Sequence, residues 1–398
     1  MTMSPKYALT PERREKIANA FPASFESCIF DVPPPAEDRE LRMQLHYLYH
    51  RAPPARNPNR AAIVFLHGHP QNGLIWHRVA RRLLTSAADS DRKASSSSSP
   101  PTEHPGNWDL IVPDLRGRGA SSAPTGGCGV FDVPDAQQAR YTKRAMAYDV
   151  VQLVHHLGYA KRVWIVAHDR GARVAARLLA DADENDIHVE RTILLDIAPT
   201  LDMYSKTDSM FAKMYWHWFF LLQPQPYAED MIRNSPDSYI DLTIARFADE
   251  DDKDDAERIF PSWALASYAN GLDTYERAHA LVEDYRASAP AGPDLDVDEE
   301  DRDAIAAGTR KRITTPVRLL WGARGLIEAA YDGGLDLWRQ TMESIDGRSV
   351  DCGHYIPEEQ PSEVVNEIVG FFGPAAAHAA ATGRKGALSG KKFDGREK

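Results

Sequence analysis

Cysteine is scarce in this chain, and its scarcity excludes two kinds of architecture. Cys28, Cys128 and Cys352 are an odd number at wide, unpatterned spacing in 398 residues. They build neither a disulfide framework nor a zinc site, so they read as free thiols of a reducing compartment. A positive charge balance is missing too. Lys and Arg number 47 against 58 Asp and Glu, a formal net of −11, which argues against nucleic-acid binding as a global function. Any anionic ligand must therefore be drawn in by local cations. Long apolar runs are absent as well. Trp218 to Leu222 is far too short to span a bilayer, and Met1 to Phe21 is polar and charged, without the apolar segment of a secretory signal. The expectation is a soluble cytoplasmic protein that does not engage a membrane. Internal repeats are not apparent, and the glycine-bearing Asp114 to Gly119 lacks the Gly-Lys-Ser/Thr ending of a phosphate loop.

What is present is enough apolar content, 43%, for one large α/β domain with insertions or for two modest domains. Phe25 to His50 alternates apolar and polar residues and predicts one or two antiparallel strands. Ala61 to Leu66 is a continuous apolar run ending in His67-Gly68-His69-Pro70, and a helix carrying Trp76, Val79, Leu83 and Leu84 follows. Ser86 to Asn107, with its five-serine run, reads as a disordered loop. Further strands are expected at Asp109 to Pro113, Val163 to Val166, Thr192 to Leu195 and Val317 to Trp321, with helices at Tyr148 to Leu157 and Val364 to Phe372. Strand–helix alternation stops between Pro199 and about Pro290, where aromatics and helical spacing dominate. The acidic stretches Asp249 to Asp255 and Pro290 to Asp303 read as solvated loops, with metal binding a distant second. The expected fold is a doubly wound, mostly parallel α/β sheet with a helical insertion after the strand ending at Asp196, lying over the strands' carboxyl ends. The divisions are 22–198 and 304–373 for the core, 199–303 for the helical cap, and 374–398 for a disordered tail.

The most informative segment is Ala167-His168-Asp169-Arg170-Gly171. It follows a buried-strand pattern and precedes a helical one, and small-x-acid-x-small at that junction is the sequence of a nucleophile elbow. With aspartate at the centre, a covalent intermediate would be an alkyl ester rather than an acyl group. Arg170 and Arg173 could hold an anionic substrate against that carboxylate. A late histidine must then activate water against the ester, and His354 in Asp351-Cys352-Gly353-His354 occupies that place. The orienting acid has two candidate homes, Asp196 and Glu328; Asp196, directly at a strand end, is preferred. Each residue also has an ordinary reading, as a surface histidine or a helix-capping aspartate. Three pieces in this order, each at an expected strand end, make coincidence the weaker account.

These residues resemble the α/β-hydrolase dehalogenases and epoxide hydrolases, and most closely the fluoroacetate (haloacetate) dehalogenase family. The resemblance spans about Phe25 to Phe372. It rests on Asp169-Arg170-Gly171-Ala172-Arg173, Leu195-Asp196-Ile197-Ala198-Pro199-Thr200, the aromatic run Tyr215 to Leu222 with Gln223-Pro224, and Gly353-His354-Tyr355-Ile356-Pro357-Glu358-Glu359. The resemblance implies an α/β-hydrolase fold and a homodimer. It also implies that Asp169 is the nucleophile, that Asp196 and His354 activate water, that Arg170 and Arg173 clamp a carboxylate, and that His217 and Trp218 bind a departing halide. A tyrosine completes that halide pocket; Tyr285 is assigned, with Tyr268 and Tyr275 as rivals. The backbone N–H groups of His69 and Arg170 would form an oxyanion hole. His69 stands where relatives often carry an aromatic, so it narrows or polarises the pocket.

The reaction expected is hydrolysis of a short 2-haloacid such as fluoroacetate to the hydroxy acid and halide, with no metal or organic cofactor. Without the arginine pair, Trp216 to Phe220 would read as an ordinary apolar cap helix. Two other readings remain: an epoxide hydrolase on the same Asp–His–acid core, which needs cap tyrosines but no Arg173, and a non-catalytic receptor for small anions.

Overall fold

Ala62–Leu66, Asp109–Pro113 and Val163–His168 are buried along their whole length, the pattern of parallel strands covered on both faces. They form the centre of the sheet in the computed structural model, which describes residues 6–54, 57, 60–95, 104–126, 138–244 and 259–373. The strands are β1 (Phe25–Asp31), β2 (Gln44–His50), β3 (Ala62–Leu66), β4 (Asp109–Pro113), β5 (Val163–His168), β6 (Val189–Leu195), β7 (Val317–Gly322) and β8 (Ile345–Val350). Their order across the 8-stranded sheet is β1-β2-β4-β3-β5-β6-β7-β8. The pairs β1–β2 and β2–β4 are antiparallel and every other pair is parallel. This is the expected α/β fold. From β3 the chain steps outward to β4, then returns across β3 to β5 and proceeds to the other edge. The order therefore reverses between the carboxyl ends of β3 and β5, where open α/β sheets place their ligands.

Helices α1 (Pro11–Ala18), α2 (His77–Ser95), α3 (Lys143–Leu157) and α4 (Arg170–Ala180) accompany the first strands. Local chemistry sets the ends of α3. The Thr142 side chain accepts from Ala145 N, and Gly158 adopts φ 81° at the far end, a left-handed position that glycine occupies without a Cβ clash. Between β6 and β7 lie α5 (Thr200–Ser205), α6 (Ser209–Met214), α7 (Trp216–Leu221), α8 (Tyr227–Asn234), α9 (Pro236–Thr243), α10 (Ser262–Asn270), α11 (Tyr275–Ala287) and α12 (Pro293–Ala306). The chain closes with α13 (Leu326–Tyr331), α14 (Leu335–Trp338), α15 (Ile356–Glu359) and α16 (Pro361–Phe372). Among the described residues no helix is long and apolar enough to cross a membrane.

Two sequence expectations are corrected. The stretch from Ser86 is not a loop at its start, because α2 continues through Ser95; 96–103 lie outside the described residues. The second acidic stretch is a helix, α12, rather than a solvated loop. Proline at its N-terminus and Asp294 and Asp296 in its first turn suit a helix start and its dipole. Its acids also have partners far away in sequence. Arg177 of α4 bonds Asp298 at 2.9 Å and Asp301 at 2.8 Å, and Lys143 N bonds Asp294 at 2.8 Å. Sequence density of acid looked like solvation, whereas the charges close onto a cationic face. The expectations for Asp249 to Asp255, Cys128 and the 374–398 tail fall outside the described residues. β8 escaped the sequence reading because its middle, Asp346-Gly347-Arg348-Ser349, is polar, as suits an edge strand.

Arg177 is 8% exposed and also bonds Asp181. Arg177→Ala leaves Asp181 with Arg144 and Arg310 and Asp301 with Arg310, and takes the arginine from Asp298, so the cost should be about 1–3 kcal/mol, below that of a fully stripped buried pair. Urea unfolding should register that loss; a change below about 1 kcal/mol would mark the cluster as a surface pairing.

Candidate active site

β5 delivers Asp169 at its carboxyl end, and the backbone there is strained. Asp169 has φ 49° and ψ −120°, outside the regions L-residues favour, at a cost on the order of 1–3 kcal/mol. The turn requires glycine on two sides. A Cβ on Gly68 would lie 2.5 Å from Asp169 Cβ, and one on Gly171 would lie 2.4 Å from the His67 carbonyl oxygen. The small flanking positions noted in the sequence thus have a steric cause: β3's exit loop passes directly beneath the elbow.

That loop also supplies a donor. The backbone N–H of His69 donates to Asp169 Oδ1 at 3.0 Å. Arg170 N–H sits at the first position of α4, where amides have no intrahelical acceptor. On the other side His354 Nε2 lies 3.7 Å from Asp169 Oδ2, while His354 Nδ1 lies 2.6 Å from Asp196 Oδ2. Asp196, at the end of β6, is almost fully buried and accepts a second bond from Gly322 N at 2.8 Å. The carboxylate therefore holds the proton on Nδ1 and turns Nε2 toward Asp169. Glu328, the other candidate acid, accepts instead from Trp321 Nε1. Asp169, Asp196 and His354 come together as the sequence reading expects.

The His354 loop has a brace that sequence reasoning missed. Gly353 N donates to Glu359 Oε2 at 2.7 Å and Tyr355 N donates to Glu359 Oε1 at 2.8 Å. The two amides flanking the histidine are thus tied to one carboxylate. His168 Nε2 donates to the His354 carbonyl at 2.9 Å, and burial, reinforced by His354, pushes the His168 ring down to about 3, so it serves as a neutral donor.

Electrostatics separates the two central groups. Burial raises the Asp169 carboxyl, but His354, His168, Arg173 and the His69 N–H outweigh it and hold it well below the usual carboxylate range. Burial lowers His354, yet the bond and charge of Asp196, with Asp169 and Glu359 behind them, lift it above the ordinary 6.5.

The two arginines part company. Arg170 donates from Nε to Asp284 Oδ2 at 2.7 Å and from Nη2 to Asp284 Oδ1 at 2.7 Å, and its guanidinium stacks 3.9 Å from the Tyr285 ring centre. Its side chain does not line the cavity above Asp169. The forked Nε–Nη2 edge of Arg170 faces Asp284, a fixed acid of α11, so only its Nη1 is left for the expected carboxylate clamp. Arg173 does line that cavity, stacked 4.9 Å from the Trp218 ring centre. It is 5% exposed, and its Nε and Nη1 have no hydrogen-bond partner in the protein. Buried guanidinium nitrogens without acceptors are costly, and these are the atoms an anion would satisfy.

Four elements of the β6–β7 segment complete the cavity. α5 contributes Met203, α7 contributes His217 and Trp218, α9 contributes Thr243, and α11 contributes Tyr285, alongside His69, Asp169, Tyr215, His354 and Tyr355. Tyr285 therefore lines the same cavity as His217 and Trp218. Its rivals are engaged elsewhere: Tyr268 donates to Glu358 Oε1 at 2.9 Å, and Tyr275 accepts from Gln225 at 2.7 Å. Burial pushes the Tyr215 and Tyr285 phenols far above their ordinary value, so both stay protonated. Tyr215 was not anticipated as a site residue; it sits in the aromatic run, but nothing in that run distinguished it from packing. The cavity measures about 20 Å³, little more than the roughly 10–15 Å³ that one water needs. A charged cleft of about 520 Å³ meets it at Arg173, which lines both. A separate cluster, Glu229, His279 and Glu283, has metal-ligand spacing. Arg286 Nη1 bonds both of its carboxylates at 2.7 Å, so a cation already occupies the centre.

Comparison with known proteins places the fold. Residues 61–361 match the model of a family described as alpha/beta hydrolase fold. A fluoroacetate dehalogenase from Burkholderia sp is 28% identical over 81% of this chain and 91% of its own. A soluble epoxide hydrolase from Corynebacterium sp. (strain C12) is 30% identical over 78% of this chain and 90% of its own. The crystal structure of a provisionally assigned alpha/beta hydrolase from Nostoc sp PCC 7120 superposes with a TM-score of 0.67 at 34% identity, covering 87% of this chain and 98% of that one.

Glu359→Gln preserves volume but replaces an acceptor oxygen with a donor. Amide hydrogen exchange at Gly353 and Tyr355 should then accelerate by roughly ten-fold, the equivalent of one lost hydrogen bond. Unchanged protection at both amides would show that something else holds the loop.

Proposed function

This chain belongs to the alpha/beta hydrolase family, and we propose that within it the protein is a hydrolytic dehalogenase of short 2-haloacids, with fluoroacetate as the reference substrate. One observation carries the reading: Arg173 is enclosed in the cavity of Asp169 with two nitrogens lacking a partner. A small carboxylate satisfies them, and each charge-assisted bond contributes on the order of 1.5–3 kcal/mol.

In the first step an Asp169 oxygen attacks the carbon bearing the halogen. A carbon–oxygen bond forms, the carbon–halogen bond breaks, and the halide leaves with the electron pair. His217, Trp218 and Tyr285 are the proposed donors to the departing halide, and Arg173 holds the substrate carboxylate. Arg170 acts at one remove, fixing Asp284 and the Tyr285 ring. In the second step His354 takes a proton from water, which attacks the ester carbonyl. The negative charge then develops on the former carbonyl oxygen beside the His69 and Arg170 amides. Its collapse breaks the bond between the Asp169 acyl carbon and the alkyl oxygen, His354 returns its proton to that oxygen, and the hydroxy acid leaves with Asp169 restored. Alkylation itself prepares this step. Esterified Asp169 carries no charge, so one of the groups that raise His354 is removed and the neutral, basic imidazole becomes easier to reach.

A second reading has its own support. Tyr215 and Tyr285 both line the cavity as protonated phenols, and two such donors could protonate an epoxide oxygen. Fluoride release from fluoroacetate, measured beside styrene oxide hydrolysis, separates the two.

His354→Ala should permit one turnover only, leaving a carboxymethyl ester on Asp169 visible by peptide mass spectrometry; sustained turnover would sink the two-step scheme. Asp169→Ala should release no halide. The pH dependence follows from His354. A protonated His354 cannot take a proton from water, so activity should be lost on the acid side of the kcat profile, and Asp196, which goes on raising the ring once Asp169 is esterified, moves that limb upward. Asp196→Asn removes the strongest raising partner, so the limb should shift to lower pH as the rate drops. A limb that stays in place would mean that another group titrates.

A further inference from the structure

The catalytic cavity contains one more polar group that the reaction scheme leaves idle. His69 supplies its backbone N–H to Asp169, but its imidazole also lines the cavity. The ring is 5% exposed and lies parallel to His217, with centres 5.3 Å apart and planes within 1°. It meets the Tyr285 ring edge-on at 5.0 Å. The imidazole therefore stands among the groups proposed to receive the halide. Its Nε2 lies 3.0 Å from the Tyr239 hydroxyl, while its Nδ1 is buried with no partner in the protein.

We infer that His69 Nδ1–H is a further hydrogen-bond donor to the leaving halide, held in that tautomer by the Tyr239 hydroxyl, and that it sets the preference among halogens. The inference deepens the dehalogenase reading and rests on it. Three considerations support the tautomer. Burial, with His217 and Arg118 adding to it, holds the ring well below 6.5, so it is neutral and carries one proton. The Tyr239 phenol is protonated, since burial raises it far above its ordinary value, and it can donate to Nε2, leaving the ring proton on Nδ1. A bare lone pair at Nδ1 would face the field of the Asp169 carboxylate across an enclosed space, whereas an N–H is attracted by it. No proton is transferred in this role. The Asp169–carbon bond forms, the carbon–halogen bond breaks, and the halide departs with the electron pair into a hydrogen bond from Nδ1.

Fluoride is the smallest and most strongly hydrogen-bonded halide, so losing one donor should slow fluoroacetate far more than chloroacetate. Three substitutions isolate the atom. His69→Asn retains a donor near the Nδ1 position, His69→Gln retains a polar group near Nε2 instead, and His69→Phe retains only the ring. Halide-specific electrodes read kcat on both substrates, with thermal melting as the check on folding. The expected result is a fall of roughly ten-fold or more in the fluoroacetate-to-chloroacetate ratio for His69→Gln and His69→Phe, with His69→Asn within about three-fold of wild type. An unchanged ratio in Gln and Phe overturns the inference, as does Gln retaining the ratio better than Asn, which would assign the ring to packing and to Tyr239. A wild-type protein that releases no halide from either acid removes the dehalogenase reading itself, and this inference with it.

Discussion

Asp169 stays ionised while enclosed, and much of the structure around it follows from that requirement. A carboxylate removed from water protonates unless charge and dipoles replace its hydration. Here they arrive from four directions: the His69 amide from the loop after β3, His168 from β5 itself, Arg173 from the first turn of α4, and His354 from the loop after β8. The reversal of strand order between β3 and β5 makes this convergence possible, because it opens the sheet at the point where the elbow emerges. The strain at Asp169 is the local cost, and Gly68 and Gly171 keep it tolerable.

The same need for balance extends outward. Arg170, Lys143 and Arg118 surround Asp284 and, against its burial, hold its carboxyl far below the ordinary range. That acid in turn takes the forked edge of Arg170 away from the cavity. One arginine gives its Nε–Nη2 edge to a fixed partner, while Arg173 keeps two unmatched nitrogens and lines the cavity. Arg177 repeats the pattern one turn further along α4, where Asp298 and Asp301 of α12 close onto it.

Legibility in the sequence followed the range of each interaction. The elbow was readable because its requirements are local: an apolar strand, small flanking residues and a helix within a few positions. Asp196 and His354 were readable because each sits directly at a strand end. Glu359 was not, although it lies five residues from His354, because a carboxylate gripping two loop amides leaves no spacing signature. Tyr215 was hidden for a related reason: in a run of aromatics, ring packing and site lining look alike. The acidic segment that forms α12 misled the reading because its cationic partners lie in helices more than a hundred residues earlier.

By itself the sequence determined the class of sheet, the elbow that carries Asp169, and the positions of Asp196 and His354 beyond strand ends. All of these depend on residue type and short-range pattern. Only the tertiary structure decided which arginine lines the cavity, which of three tyrosines joins His217 and Trp218, and that the His69 ring lines the same space with its Nδ1 unpaired. Those outcomes depend on where side chains from α4, α9 and α11 meet. Competition for a shared partner such as Asp284 is settled by distances across the fold, not by neighbours along the chain.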